Sequence, residues 1–142
     1  MIEVAVLELK DVKFRWSRSE KTTIDLPELR INQGERVFLQ GPSASGKTTL
    51  LSLVGGILVP ESGSLRVLGE ELKSLSRARR DAFRVTHLGF IFQLFNLLPY
   101  LSLEENVLLP LRFSKERAQR AGGNEVSRIE EARRLLSALE LS

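Results

Sequence analysis

The stretch GPSASGKTTL, residues 41–50, decides the fold of this chain. It comes just after the apolar residues 37–39, which predict a buried strand over residues 36–40. The residues from Lys47 to Val54 predict a helix that ends at Gly55 and Gly56. A loop rich in glycine and in hydrogen-bond donors, placed between a buried strand and a helix, is typical of a site that holds anionic oxygens.

The spacing of the loop residues makes this chemistry specific. Gly41 is followed after four residues by Gly46, Lys47 and Thr48, which is the pattern of a nucleotide phosphate-binding loop, or P-loop. The glycines let backbone N–H groups turn inward, and Lys47 supplies a positive charge for the β- and γ-phosphates. Thr48 offers a hydroxyl ligand to Mg²⁺, and Thr49 supports the start of the helix. The predicted binding residues of the loop are Gly41, Pro42, Ser43, Ala44, Ser45, Gly46, Lys47, Thr48 and Thr49.

Composition and charge narrow the class of protein. The chain has 142 residues, of which 42% are hydrophobic and 27% charged, the balance of a globular domain with a packed core. It contains no cysteine, which excludes disulfides and thiolate zinc sites and fits a reducing compartment. His87 is the single histidine, and without a carboxylate or metal partner we expect it to be a structural residue beside a buried strand. The most apolar stretches are interrupted by polar residues, so we do not expect the chain itself to cross a membrane.

The positive charge of the chain is modest, with a formal net charge of +3. Arg77, Arg79, Arg80 and Arg84 form a basic cluster, but acidic residues interrupt it and no aromatic platform accompanies it. We therefore expect a solvated helical face and no nucleic-acid partner.

Alternation and turn residues predict the other elements. Residues 4–16 alternate with a period of two and predict a strand, residues 22–31 predict a second one, and residues 60–72 read as turn, strand and tight turn. Helices are predicted near residues 72–83, after the capping pair Ser102 and Glu105, and after a second capping pair, Ser127 and Glu130. The wholly apolar residues 88–92 predict a short buried strand that ends at Gln93.

Two stretches carry a family resemblance: GPSASGKTTLLSLVGGILVPESGSLRVLGEEL, residues 41–72, and LGFIFQLFNLLPYLSLEENVLLPL, residues 88–111. They resemble the nucleotide-binding domain of ATP-binding cassette (ABC) transporters, and the second is most similar to the lipoprotein-release and macrolide-export branch. The resemblance implies that the loop is the Walker A motif for ATP and Mg²⁺, and that Gln93 contacts the magnesium and the attacking water. It also implies that Trp16 lies against adenine, where the family usually has a tyrosine. From the residues alone, Trp16 is equally compatible with a core position on the face of Val12 and Phe14.

Other features of the family have no counterpart in these 142 residues. The family continues with a Leu-Ser-Gly-Gly signature, an acidic Walker B strand with its glutamate, and a switch histidine, none of which occurs here. We expect one incomplete ATP-binding domain, with a nucleotide-binding core part over residues 1–93 and the Q-loop and start of a helical subdomain over residues 94–142. Whether the chain is itself an enzyme is left open, and we expect it to bind ATP without hydrolysing it.

The resemblance also implies partners. The apolar residues around 94–107 meet a membrane permease in the family, although they are also compatible with a core position. We favour an ABC transport ATPase that pairs with a second nucleotide-binding domain and lies on the cytoplasmic face of the membrane through its permease. The alternative is a non-catalytic nucleotide-binding module or a DNA-acting ABC-type head. The expected fold is α/β of the P-loop type, with an antiparallel N-terminal β portion, a partial core sheet and the start of a helical subdomain.

Overall fold

The computed structural model describes residues 4–17, 20–91 and 96–141. They belong to two compact units, Met1–Asp81 and Ala82–Ser142. The first unit contains the sheet and the glycine-rich loop, and the second is helical.

A four-stranded antiparallel sheet forms the core of the first unit. Its strands are β1 (Ala5–Phe14), β2 (Ile24–Asn32), β3 (Ser62–Val67) and β4 (Glu70–Glu71), in the spatial order β2-β1-β3-β4. Alternate residues of β1 and β3 are buried, as the period of two predicts. The predicted antiparallel β portion is therefore confirmed. The buried apolar residues of this unit are Leu7, Leu9, Val12, Phe14, Ile24, Leu53, Leu65, Val67 and Leu72.

Two local features shape the sheet. Pro27 lies in β2, an edge strand of the sheet that the described residues form, and edge strands tolerate proline. The register between β1 and β3 shifts between Lys10 and Lys13, where Asp11 has a φ of 50°. Gly63 of β3 faces this bulge with a φ of 86°, and an added Cβ would lie 2.3 Å from the Asp11 carbonyl oxygen.

Helix α1 (Lys47–Val54) has the predicted bounds. Leu53 is fully buried, and the N–H of Gly55 donates to the Leu51 carbonyl at 2.8 Å. Gly56, with a φ of 66°, then turns the chain out of the helix.

Where one helix is predicted near residues 72–83, the structure has two segments, and the α-helix begins only at Arg77. A short 3-10 helix, Leu72–Ser74, is anchored by the buried Leu72, and α2 (Arg77–His87) follows it. The 3-10 helix ends where Leu75 becomes extended, and the Ser76 hydroxyl accepts the N–H of Arg79 at 3.3 Å at the start of α2. No described residue of α2 is buried, as expected of a solvated arginine-rich face. His87 lies exposed in the last turn of α2, 4.7 Å from the Phe83 ring, so its predicted position beside a buried strand is wrong.

Two predicted strands are absent from the described structure. Residues 36–40 and 88–91 have no strand geometry, and Phe38 is 86% exposed while Ile91 is fully exposed. A strand needs N–H and C=O partners on a neighbouring strand, and the sheet of the described residues pairs with neither segment. Phe92 and Gln93 lie outside the described residues.

The second unit contains three helices after α2. They are α3 (Leu103–Leu108), α4 (Lys115–Arg120) and α5 (Glu125–Ala138), with a short 3-10 helix, Leu109–Arg112, after α3. The capping box of Ser102 and Glu105 is confirmed at the start of α3. The predicted Ser127 and Glu130 cap of α5 is wrong, because α5 begins earlier and the Asn124 side chain accepts the Ser127 N–H at 2.9 Å. None of the described helices is long and apolar enough to span a bilayer.

Candidate functional site

The glycine-rich loop is held in a conformation that its glycines make possible. Gly46 has a φ of 94°, and an added Cβ there would lie 3.0 Å from the Ile24 Cδ1 and 3.1 Å from the Thr23 carbonyl oxygen. An added Cβ at Gly41 would lie 2.8 Å from the Ser45 Oγ. At Gly46 the loop therefore lies close to the start of β2, and a side chain there would require these neighbouring atoms to shift.

The loop opens onto the N-terminus of α1. Among the described residues no side chain caps this end, and the first turn contains no acidic residue. The first N–H groups of a helix have no partner inside the helix, and the helix dipole makes this end positive. The end of α1 that faces the loop can therefore receive an anion.

Lys47 contacts its own loop. Its Nζ donates to the carbonyl oxygens of Gly41 at 2.8 Å and Pro42 at 2.6 Å, and to the Ser45 Oγ at 3.4 Å. The side chain thus folds back over the loop, and its ammonium group lies among oxygens that carry no formal charge. A phosphate oxygen would be a stronger partner, because hydrogen bonds between two charged groups are shorter and stronger.

The two threonines at the start of α1 differ in exposure. Thr48 is exposed, whereas Thr49 is buried. The Ser52 hydroxyl donates to the backbone carbonyl of Thr48 at 2.8 Å, and the Thr48 side-chain hydroxyl takes no part in this contact. A single exposed hydroxyl fits a magnesium ion that takes its other ligands from phosphate oxygens and water.

An open cleft of about 520 Å³ joins the loop to the end of β1. Its lining residues are Trp16, Thr23, Ser43, Ala44, Ser45, Gly46, Lys47, Thr48 and Thr49. Of these described lining residues, Lys47 alone carries a formal charge, so the cleft is suited to an anion. Gly41 and Pro42 line a smaller neighbouring cleft of about 290 Å³, which also includes Lys47.

Trp16 lies at the rim of the larger cleft and not in the core. Its side chain is 49% exposed, and its ring meets the buried Phe14 edge to face, with centroids 5.2 Å apart. The structure therefore brings Trp16 to the P-loop, 30 residues further along the sequence. A core position for Trp16, which the sequence also allowed, is therefore wrong.

Thr23 is a residue of the cleft that the sequence did not predict. Thr23 lines the cleft, donates its N–H to the Phe14 carbonyl at 2.9 Å, and places its own carbonyl against Gly46. Nothing in the local pattern around Thr23 signals this role, which arises from the pairing of β1 with β2. The predicted contacts of Gln93 fall outside the described residues.

Comparisons with known proteins agree with this geometry. The sequence profile of the ABC transporter family matches residues 25–142. The lipoprotein-releasing system ATP-binding protein LolD of Chromohalobacter salexigens is 40% identical over 76% of this chain and 46% of its own length. The probable syringafactin export ATP-binding/permease protein SyfD of Pseudomonas syringae pv. syringae is 40% identical over 97% of this chain and 20% of its own length.

A solved structure has the same fold. The dimeric ATP-binding cassette MJ0796, in a post-hydrolysis state bound to ADP and Pi, superposes with a TM-score of 0.80 at 32% identity. The match covers 96% of this chain and 58% of the cassette, and it confirms the predicted α/β P-loop fold class. The chain thus spans about half the length of LolD and less than two thirds of each of these relatives.

Proposed function

This chain belongs to the ABC transporter family, and we propose that it is the ATP-binding portion of a transport ATPase that acts with a membrane permease. The observation that carries the proposal is the cleft that joins Trp16, Lys47 and Thr48 at the N-terminus of α1, which no described side chain caps. Relatives whose names describe ATP-binding and permease proteins support it, as does a cassette bound to ADP and Pi.

Phosphate binding is assigned to the loop and the start of α1. The N–H groups of residues 43–49 and the dipole of α1 would hold the phosphate oxygens, and Lys47 would exchange its carbonyl contacts for the β- and γ-phosphates. Thr48 would provide the protein ligand to Mg²⁺. A magnesium ion held there would supply positive charge that offsets the charge of the phosphates.

Adenine binding is assigned to Trp16. The half-exposed indole borders the cleft and can offer a ring to a base, and stacking on an aromatic ring is tolerant of base identity. Gln93 is proposed to contact the magnesium and the attacking water.

Turnover is expected to need more than these residues. Phosphoryl transfer to water requires a positioned nucleophile and charge stabilisation on several sides of the phosphoryl group. The sequence of this chain contains no apolar run that ends in Asp-Glu. We therefore expect this chain alone to bind Mg-ATP and not to hydrolyse it.

The proposed partners are a permease and a second nucleotide-binding domain, which would place the protein on the cytoplasmic face of a membrane. Leu97, Tyr100 and Leu103 are exposed apolar residues, and Tyr100 is 78% exposed. Their exposure favours an interface over a core position for this stretch. The dimeric state of the related cassette supports pairing with a second copy.

The experiment that tests the function is calorimetric titration of the chain with Mg-ATP, together with a phosphate-release assay. We expect binding by the native chain, loss of binding in Lys47→Ala, and native affinity in Lys10→Ala, which removes an exposed lysine from β1. Phosphate release should not exceed that of Lys47→Ala. Steady-state ATPase activity well above that level, or equal binding by Lys47→Ala, would contradict the proposal.

A further inference from the structure

We propose that the ion pair between Arg15 and Glu61 positions Trp16 at the rim of the P-loop cleft. The inference rests on the proposed function, since Trp16 has a base to contact only if the cleft binds ATP. Neither Arg15 nor Glu61 lines the P-loop cleft, so the pair acts through Trp16 and does not touch the nucleotide.

The end of β1 is tied down on both sides. On one side the Thr23 N–H donates to the Phe14 carbonyl at 2.9 Å, next to the start of β2. On the other side the Glu61 N–H donates to the Lys13 carbonyl at 2.8 Å, next to the start of β3. These backbone bonds reach only as far as Phe14, the last residue of β1.

The Glu61 side chain extends this support by one residue. Its Oε1 accepts from the Arg15 Nη2 at 2.8 Å, so Glu61 holds Lys13 through its backbone and Arg15 through its side chain. Trp16 is the next residue along the chain. The Trp16 ring itself makes an edge-to-face contact with Phe14.

A second open cleft is lined by the indole and by both members of the ion pair. This cleft, of about 490 Å³, is lined by Phe14, Arg15, Trp16, Ser17, Glu20, Val59 and Glu61. Trp16 therefore lines two clefts, one with the P-loop and one with the ion pair. A change in Arg15 or Glu61 alters the surroundings of the indole without altering the residues that hold phosphate.

Because the pair is exposed, its loss should change the position of Trp16 more than the free energy of unfolding. The side chains of Arg15 and Glu61 are 46% and 52% exposed, and exposed ion pairs contribute little to the free energy of unfolding. Lys13 of β1 and Asp25 of β2 form a comparable exposed pair at 3.4 Å, and neither residue lines either cleft. That pair provides a matched control.

The test compares Glu61→Gln and Arg15→Met with the control Lys13→Met, using the complete 142-residue chain. Trp16 is the only tryptophan, so time-resolved fluorescence anisotropy without nucleotide reports the motion of this ring alone. Affinity is measured for Mg-ATP and for Mg-triphosphate. We expect both test variants to increase the amplitude of fast indole motion and to weaken Mg-ATP by about threefold to fivefold, with Mg-triphosphate unchanged. The charge swap Arg15→Glu with Glu61→Arg should restore much of both properties, and Lys13→Met should change neither.

The measurements show separately whether the proposed function fails and whether the positioning role of the ion pair fails. If the native chain binds neither ligand, the proposed function fails, and the anisotropy still decides whether the pair restrains the indole. Unchanged anisotropy in Glu61→Gln and Arg15→Met would overturn the positioning role. An equal loss of affinity for both ligands with a lower melting temperature would also overturn it, because it would show a merely structural pair.

Discussion

Lys47 shows how much of the site depends on one side chain. Its ammonium group contacts two carbonyls and a hydroxyl of its own loop, and it is the charged residue of the described cleft. Because these acceptors are uncharged, the ammonium group can move to a phosphate oxygen without breaking an ion pair. The ammonium group therefore already lies at the loop, against the Gly41 and Pro42 carbonyls, where the proposed phosphate ligand would bind.

Substitution of Trp16 should weaken binding of the base without weakening binding of the phosphates. Because base stacking on an aromatic ring contributes about 1–3 kcal/mol, Trp16→Ala should weaken Mg-ATP by about 5- to 150-fold and leave Mg-triphosphate nearly unchanged. Trp16→Phe, which keeps a ring, should lose much less. Competition titrations with a fluorescent nucleotide measure these affinities. An equal loss for both ligands in Trp16→Ala would show that the ring supports the loop and does not contact the base.

At the scale of elements, the turn from β3 to β4 depends on Glu71. Its carboxylate accepts from the Ser64 hydroxyl and, at 3.0 Å, from the Leu65 N–H, and it lies 3.6 Å from Arg66. Partial burial raises the pKa of Glu71, but these hydrogen bonds and the charge of Arg66 outweigh it and hold the pKa below its ordinary value. The two-residue strand β4 is therefore attached to β3 through an ionised side chain.

The pH dependence of stability should reveal this contribution. Since the pKa of Glu71 is lower in the folded than in the unfolded chain, its contribution is present above the unfolded pKa and is lost as the pH falls through the folded pKa. Glu71→Gln should reduce the free energy of unfolding at pH 7 by about 1 kcal/mol and flatten its decline below pH 4.5. Urea unfolding at several pH values measures both effects. The neighbouring exposed Glu70→Gln is the control, and an identical pH profile in both variants would contradict the assignment.

At the scale of the whole molecule, the described structure leaves apolar side chains uncovered in both units. Val37, Phe38 and Leu39 are exposed in the first unit, and Phe90 and Ile91 are exposed in the second. Sequences of this kind predict buried strands, and here they have no strand neighbour among the described residues. Exposed apolar segments of this kind can associate with other chains.

We expect the chain in isolation to self-associate or to melt at low temperature. Sedimentation velocity over a range of concentrations should show species larger than a monomer, and Phe38→Lys and Ile91→Lys should each shift the distribution toward monomer. Gln119→Lys, which adds the same charge at an exposed polar position of α4, is the control. A monodisperse native monomer with a cooperative melt at about 45–65 °C would contradict this expectation.

Local chemistry explains which elements could be predicted from the sequence. The P-loop and α1 follow from glycine spacing, the cap of α3 from Ser102 and Glu105, and the strands β1 and β3 from alternation. Each of these signals lies within about ten consecutive residues. The cap of α5 was missed because Asn124 and Ser127 are both good capping residues, and the choice between them depends on how the preceding turn leads into α5.

By itself, the sequence determined that this protein has a P-loop motif followed by a helix, because the motif residues are consecutive and their geometry is local. Only the tertiary structure decided that Trp16 and Thr23 border that loop, that Glu61 is paired with Arg15, and that residues 36–40 are not in a strand. The physical reason is the range of the interactions. Strand formation and the approach of a side chain to a distant loop require backbone partners tens of residues away, and such partners are set by sheet pairing.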